Sequence, residues 1–189
     1  MSNIGFALTG SFCTFERAIE QMKILTAAGH NVTPIMSFNA YHLDTKFGIA
    51  ADFRESIEKV CGAPIIHTIQ GAEPIGPKKL FDILLVEPCS GNTLAKLAAG
   101  IVDTPVLMAV KSHLRNARPV LLAVSSNDAL GNAAKNIGAL LNMRNIFFVP
   151  MEQDDPYRKP RSVVADFDYT ELALNAALEG TQLQPIIKS

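Results

Sequence analysis

The residue pattern predicts a three-layer α/β/α domain built on a doubly wound parallel sheet. Short apolar runs rich in β-branched residues recur along the chain, and longer stretches with three- and four-residue apolar spacing separate them. That alternation belongs to parallel sheets covered by helices on both faces. No linker, repeat or low-complexity run interrupts it. One domain is therefore expected over residues 1–189, with a polar loop at 151–167 and a closing helix at 168–180.

The first strand is Ile4 to Leu8. A helix follows from Thr14 to Ala28, because Phe15, Ala18, Ile19, Met22 and Leu25 share one face and Gly29 suits the position after its end. Val32 to Met36 then completes a βαβ unit. Ile49, Phe53, Ile57 and Val60 mark a second helix closed by Gly62, and a short strand is expected near Pro64 to Ile66. Ile83 to Glu87 is the next strand, with a helix from Asn92 to about Gly100. Thr104 and Pro105 form an N-cap and first-turn pair that opens a helix toward Asn116. Val120 to Val124, a helix from Ala129 to Leu141, and Ile146 to Val149 continue the rhythm. Met151 to Arg161 has no period and is rich in Asp, Arg, Lys and Pro, so it reads as a loop before the helix at Tyr169 to Leu178.

Composition narrows the function. The chain is 48% apolar and 19% charged, with a net charge of −1. That balance gives no field for phosphate backbones or anionic lipid, so nucleic-acid and membrane partners are not expected. The N-terminal stretch has no basic start, no apolar run reaches membrane-spanning length, and a cytoplasmic protein is expected. Cys13, Cys61 and Cys89 are too few and too scattered for a disulfide framework, and no spacing suggests a metal site.

In an open α/β sheet, ligands collect beyond the carboxyl ends of the strands, where helix N-termini present free N–H groups. Four polar, small-residue loops fall there: Thr9-Gly10-Ser11, Ser37-Phe38-Asn39, Pro88-Cys89-Ser90-Gly91-Asn92-Thr93, and Ser125-Ser126-Asn127-Asp128. Each alone reads as a tight turn or a helix cap, and no GxGxxG fingerprint is present. Together they suit an anion and a heterocycle. His67 opens a long Gly- and Pro-rich stretch through Pro77, which makes it either an acid/base group or only a hydrogen-bonding residue.

The segment Pro88-Cys89-Ser90-Gly91-Asn92-Thr93, with Lys96, Gly100 and Asp103 at their spacings, resembles the flavoprotein family that includes phosphopantothenoylcysteine decarboxylase, a Rossmann-like fold. Thr9-Gly10-Ser11 and Asn127 also fall at matching places. The resemblance implies FMN, with Thr9, Gly10, Ser11 and Ser37 at its phosphate and ribityl, and with Ser90, Asn92, Thr93 and Ser125 lining the same site. It implies that Asn127 faces the substrate. Two departures stand beside it. Pro74, rather than His67, aligns with the histidine of the decarboxylases, and the Met151 to Arg161 loop has no cysteine.

The stretch Gly5 to Cys13, together with Phe-Val-Pro-Met-Glu-Gln-Asp-Asp-Pro at 148–156 and Lys159-Pro160 before Ser162, Val164 and Ala165, resembles the family of dipicolinate synthase B subunits. That likeness implies an oxidoreductase subunit forming dipicolinate during sporulation, with an A subunit that carries NADP, and a homo-oligomer. His67 and Asn127 are then the expected catalytic residues. A substrate with two carboxylates calls for cations. Lys111, His113, Arg115 and Arg118 form one group, which also reads as a solvated helix end. Arg158, Lys159 and Arg161 form another, beside Asp154 and Asp155, which suits a lid, a partner contact or an ordinary charged surface.

Overall fold

A computed structural model describes residues 1–188; Ser189, the end of the expected domain, lies outside the described residues. Among them, seven strands form one sheet: β1 (Asn3–Leu8), β2 (Asn31–Met36), β3 (Ile83–Ser90), β4 (Val120–Ser126), β5 (Ile146–Phe148), β6 (Met151–Glu152) and β7 (Val163–Ala165). The order runs β2-β1-β3-β4-β7-β6, with β5 also on β4. Helices cover both faces: α1 (Phe15–Ala27), α2 (Phe38–His42), α3 (Ala50–Cys61), α4 (Ile69–Ala72), α5 (Gly91–Ala98), α6 (Pro105–Leu114), α7 (Ala134–Leu141) and α8 (Thr170–Leu178). None is long and apolar enough to cross a membrane.

The central strands are mainly apolar because both of their faces are covered, and successive side chains alternate between two cores. Ile4, Phe6 and Leu8 of β1, Ile83 and Leu85 of β3, and Leu121 and Ala123 of β4 join α1, α3 and α8 on one side. Ala7, Leu84, Val86, Val120, Leu122 and Val124 join α4, α5, α6 and α7 on the other. The expected face of α1 is buried, Thr104 caps α6 by accepting from Leu107 N, and Gly62 closes α3 in the left-handed region at φ 62°.

The structure differs from the expected elements in several places, and two short helices, α2 and α4, stand where the sequence offered a polar turn and a Gly- and Pro-rich stretch. The strand expected at Pro64 to Ile66 reduces to a single parallel bridge between Ile66 and Ile35. The helix expected from Ala129 begins at Ala134, because the Asp128 carbonyl draws in the N–H groups of Gly131 and Ala133 and holds the preceding residues in turns. The 151–167 segment holds two strands, and they make the sheet mixed. β5 pairs parallel with the first half of β4, at Val120 to Leu122. Beyond Pro150 the chain leaves that edge, and β7 pairs antiparallel with Ser125 and Ser126 instead. One edge of β4 is therefore shared by two strands of opposite direction, and residues 153–162 are held beside its carboxyl end.

Candidate functional site

The four polar turns converge at the carboxyl edge of the sheet, where β1, β2, β3 and β4 all end in parallel. Two adjoining cavities open there, of about 450 Å³ and about 370 Å³, and both are lined by Gly10, Ser90 and Asn92. The larger one adds Ser11, Gly91, Ser125, Asn127, Asp128, Asn132, Asn136, Asp154 and Lys159. The smaller adds Ser37, Thr93, Lys96 and Asp103.

Capping geometry decides which hydroxyls are available. Ser37 Oγ accepts from Ala40 N at the start of α2, and Ser90 Oγ accepts from Thr93 N at the start of α5. Each of these oxygens is an acceptor in its cap; the Ser37 proton is left to donate, while Ser90 Oγ also pairs with Thr93 Oγ1 at 3.1 Å, which consumes one proton of that pair and leaves the other. Ser11 and Ser125 pair oxygen to oxygen at 2.6 Å, which consumes one proton and leaves the other. Thr9 is different. It is 1% exposed, its hydroxyl donates to Pro88 O at 2.7 Å and accepts from Ser90 N at 2.9 Å, and it lines neither cavity. Its role is to clip the end of β1 to the end of β3, which sets Ser90 in place.

Gly91 at the first position of α5 keeps the larger cavity open: a Cβ there would lie 2.6 Å from Ser126 Oγ. Its N–H and that of Asn92 belong to the first helical turn, where no intrahelical acceptor exists. Hydroxyl protons and the first-turn N–H of Asn92 around the smaller cavity suit a phosphate, and Lys96 there is paired with Asp103 Oδ2 at 2.7 Å; the amide-rich larger cavity suits a planar polar heterocycle.

Asn127 stands on the wall of the larger cavity, and Ser162 donates to its Oδ1 at 3.4 Å, which turns the NH₂ group to be the donating end. His67 lies off both cavities. Its ring stacks on Tyr41 at 3.9 Å and 9°, Nδ1 donates to Ile65 O at 3.1 Å, and Arg54 covers the ring of Tyr41 at 4.6 Å.

The first cationic group also lies elsewhere. His113 is buried and donates from Nε2 to Pro119 O; burial outweighs that bond and drives its pKa down to about 4. Arg118 donates to the carbonyls of Lys79 and Phe81. Lys111 and Arg115 are exposed away from both cavities. Of the second group, Lys159 alone is on a cavity wall. Asn132 and Asn136, which sequence reasoning passed over, also reach the larger cavity. Asn132 lies in the turns before α7 and Asn136 on its first turn, so their meeting at one wall depends on how the turns lead into the helix.

Comparison with known proteins shows the family and the fold. Residues 1–168 match the family model described as "Flavoprotein". The chain is 45% identical over 184 residues to the B subunit of dipicolinate synthase of Bacillus subtilis (strain 168), a match that spans 97% of this chain and 92% of the relative. The crystal structure of the dipicolinate synthase B subunit from Bacillus halodurans superposes with a TM-score of 0.91 and 39% identity over 100% of this chain and 96% of that one. The FMN-dependent cysteine decarboxylase SpaF has the same fold, at a TM-score of 0.67 and 19% identity over 94% of this chain and 95% of its own.

Proposed function

The chain belongs to the flavoprotein family, and on that premise we propose that its two cavities form one FMN site in the B subunit of a dipicolinate synthase. The subunit forms pyridine-2,6-dicarboxylate from a hydroxy-tetrahydrodipicolinate, in the cytoplasm of a sporulating cell, with an A subunit that carries NADP. The observation that carries this reading is the junction of the cavities at Gly10, Ser90 and Asn92, in a chain that matches a B subunit along nearly its whole length. FMN is a phosphate tethered to a planar heterocycle, and the two chambers divide along the same line.

In this reading Ser37, Ser90 and Thr93 hold the phosphate, the N–H groups at the start of α5 add to them, and Gly10 lets the backbone approach. Ser11 and Ser125 lie under the ring side, and Asn127 presents its NH₂ group to the substrate. Bound flavin supplies a hydride or electron acceptor for ring oxidation. The protein's own part is to orient the ligand and to exclude competing contacts; Thr9 and Ser162 act through the residues that they position.

Fluorescence titration of FMN tests the site. Asn92→Ala and Thr93→Val are each expected to weaken binding roughly tenfold, the worth of one hydrogen bond to a charged or polar ligand group. No saturable binding by the unmodified chain would remove the flavin reading. A second reading then takes its place, a module that completes the A subunit's site with a vestigial flavin pocket, and one observation favours it: among the described residues, neither cavity wall carries a histidine. A stand-alone decarboxylase has less support, since Pro74 replaces the expected histidine and the 153–162 loop has no cysteine. A homo-oligomer is supported by Phe38, on the smaller cavity, and by the exposed Leu43, Phe47 and Ile49 that follow it.

A further inference from the structure

Lys159 is the one cationic side chain on the wall of the larger cavity, among the described residues, and Asp128 and Asp154 share that wall. Without it the chamber would present carboxylates alone. A chamber so lined repels an anionic ligand, and the repulsion is strong where water is partly excluded.

The loop that carries Lys159 is braced against itself. Asp155 accepts from Arg158 N at its side chain and from Lys159 N at its carbonyl, Gln153 Nε2 donates to Pro160 O at 2.9 Å, and Ser162 N donates to Lys159 O at 2.9 Å. It is also tied to the turn that carries Asn127, by Leu130 N to Arg161 O at 3.0 Å and by Ser162 Oγ to Asn127 Oδ1. The backbone that carries Lys159 is thus tied to the turn that carries Asn127, and both residues line the larger cavity.

Its present partner is Asp154 Oδ2 at 2.9 Å, within the same loop, and the two side chains keep 52% and 28% of their exposure. A solvent-facing pair of this kind is weak, because water screens both charges. Exchanging Asp154 for a ligand carboxylate therefore costs little, and Asp154 serves to keep the ammonium at the cavity rim until the exchange.

We infer that Lys159 is the specificity-determining residue of the larger cavity, and that it selects a heterocycle bearing a carboxylate over its uncharged counterpart. The inference rests on the reading that this chamber is the substrate side of the flavin site.

Calorimetric titration of the full chain, with FMN present and absent, tests it with pyridine-2,6-dicarboxylate and pyridine-2,6-dicarboxamide as probes. Lys159→Met is expected to weaken dicarboxylate binding at least tenfold and to leave the dicarboxamide unchanged; Lys159→Arg should restore most of the loss. Asp154→Asn, which removes the competing carboxylate, should tighten the dicarboxylate. Equal dicarboxylate affinity in the unmodified and Met chains would overturn the inference, as would an unmodified chain that binds FMN but no dicarboxylate. A chain that binds neither overturns the parent flavin reading as well. FMN affinity unchanged by Lys159→Met would separate substrate selection from cofactor binding.

Discussion

At the scale of single residues, Glu87 is the group most at odds with its surroundings. It is fully buried in β3, Thr170 donates to its Oε2 at 2.7 Å, and Oε1 has no partner. Burial pushes its pKa from 4.5 up to about 8, against the opposing pull of Thr170 and the Arg17 charge. The folded chain therefore keeps a proton that the unfolded chain releases. Its contribution to stability is fully present below about 4.5 and is lost as pH rises through about 8. Glu87→Gln keeps the shape without the titration, so denaturant midpoints of the variant should lose that downward slope between acid and mildly alkaline pH; parallel slopes would show that Glu87 does not titrate there. The thiols divide as sharply. Cys89 is buried and Cys61 is pushed up to about 12 by burial, whereas Cys13 is exposed. Iodoacetamide on the native chain should label Cys13 alone, read by peptide mass analysis. The site hydroxyls were legible in the sequence because a strand followed by a small polar turn names its own position. The division between Thr9 and Ser90 was not, since it depends on which partner each oxygen meets across the sheet. His67 lies off both cavities, with its ring stacked on Tyr41, a placement that depends on the folded course of the 62–77 stretch and not on any local pattern.

At the scale of elements, the sequence pattern located the parallel strands by their short apolar runs, α1 and α3 by helical spacing, and α6 by its Thr104-Pro105 start, but it gave no sign of α2 and α4. It missed β6 and β7, which are two and three residues long and are defined by their pairing with β4 and with each other rather than by their own pattern. It also overran the start of α7, where the Asp128 carbonyl and the glycine at 131 favour turns. Two glycines make opposite predictions here. Gly62→Ala places a side chain at φ 62° with open space around it and should cost about 1 kcal/mol in chemical denaturation, with FMN affinity kept. Gly91→Ala instead drives a methyl group against Ser126 Oγ, so FMN titration should show the larger loss.

At the scale of the whole molecule, the segment from Phe38 to Ile49 leaves four large apolar side chains exposed close together in sequence, Phe38, Leu43, Phe47 and Ile49. If copies meet there, sedimentation should show an assembly larger than one chain, and Phe47→Asp with Ile49→Asp should return it to monomer and weaken FMN, because Phe38 of the same segment lines the smaller cavity. A monomer at all concentrations would exclude that interface. The shared edge of β4 has its own consequence. The five parallel strands are complete without residues 153–162, whose two ends are fixed by β6 and β7. That stretch can change length and charge while the polar turns at the ends of β1 to β4 stay in register, so it behaves as an exchangeable cassette on a fixed frame.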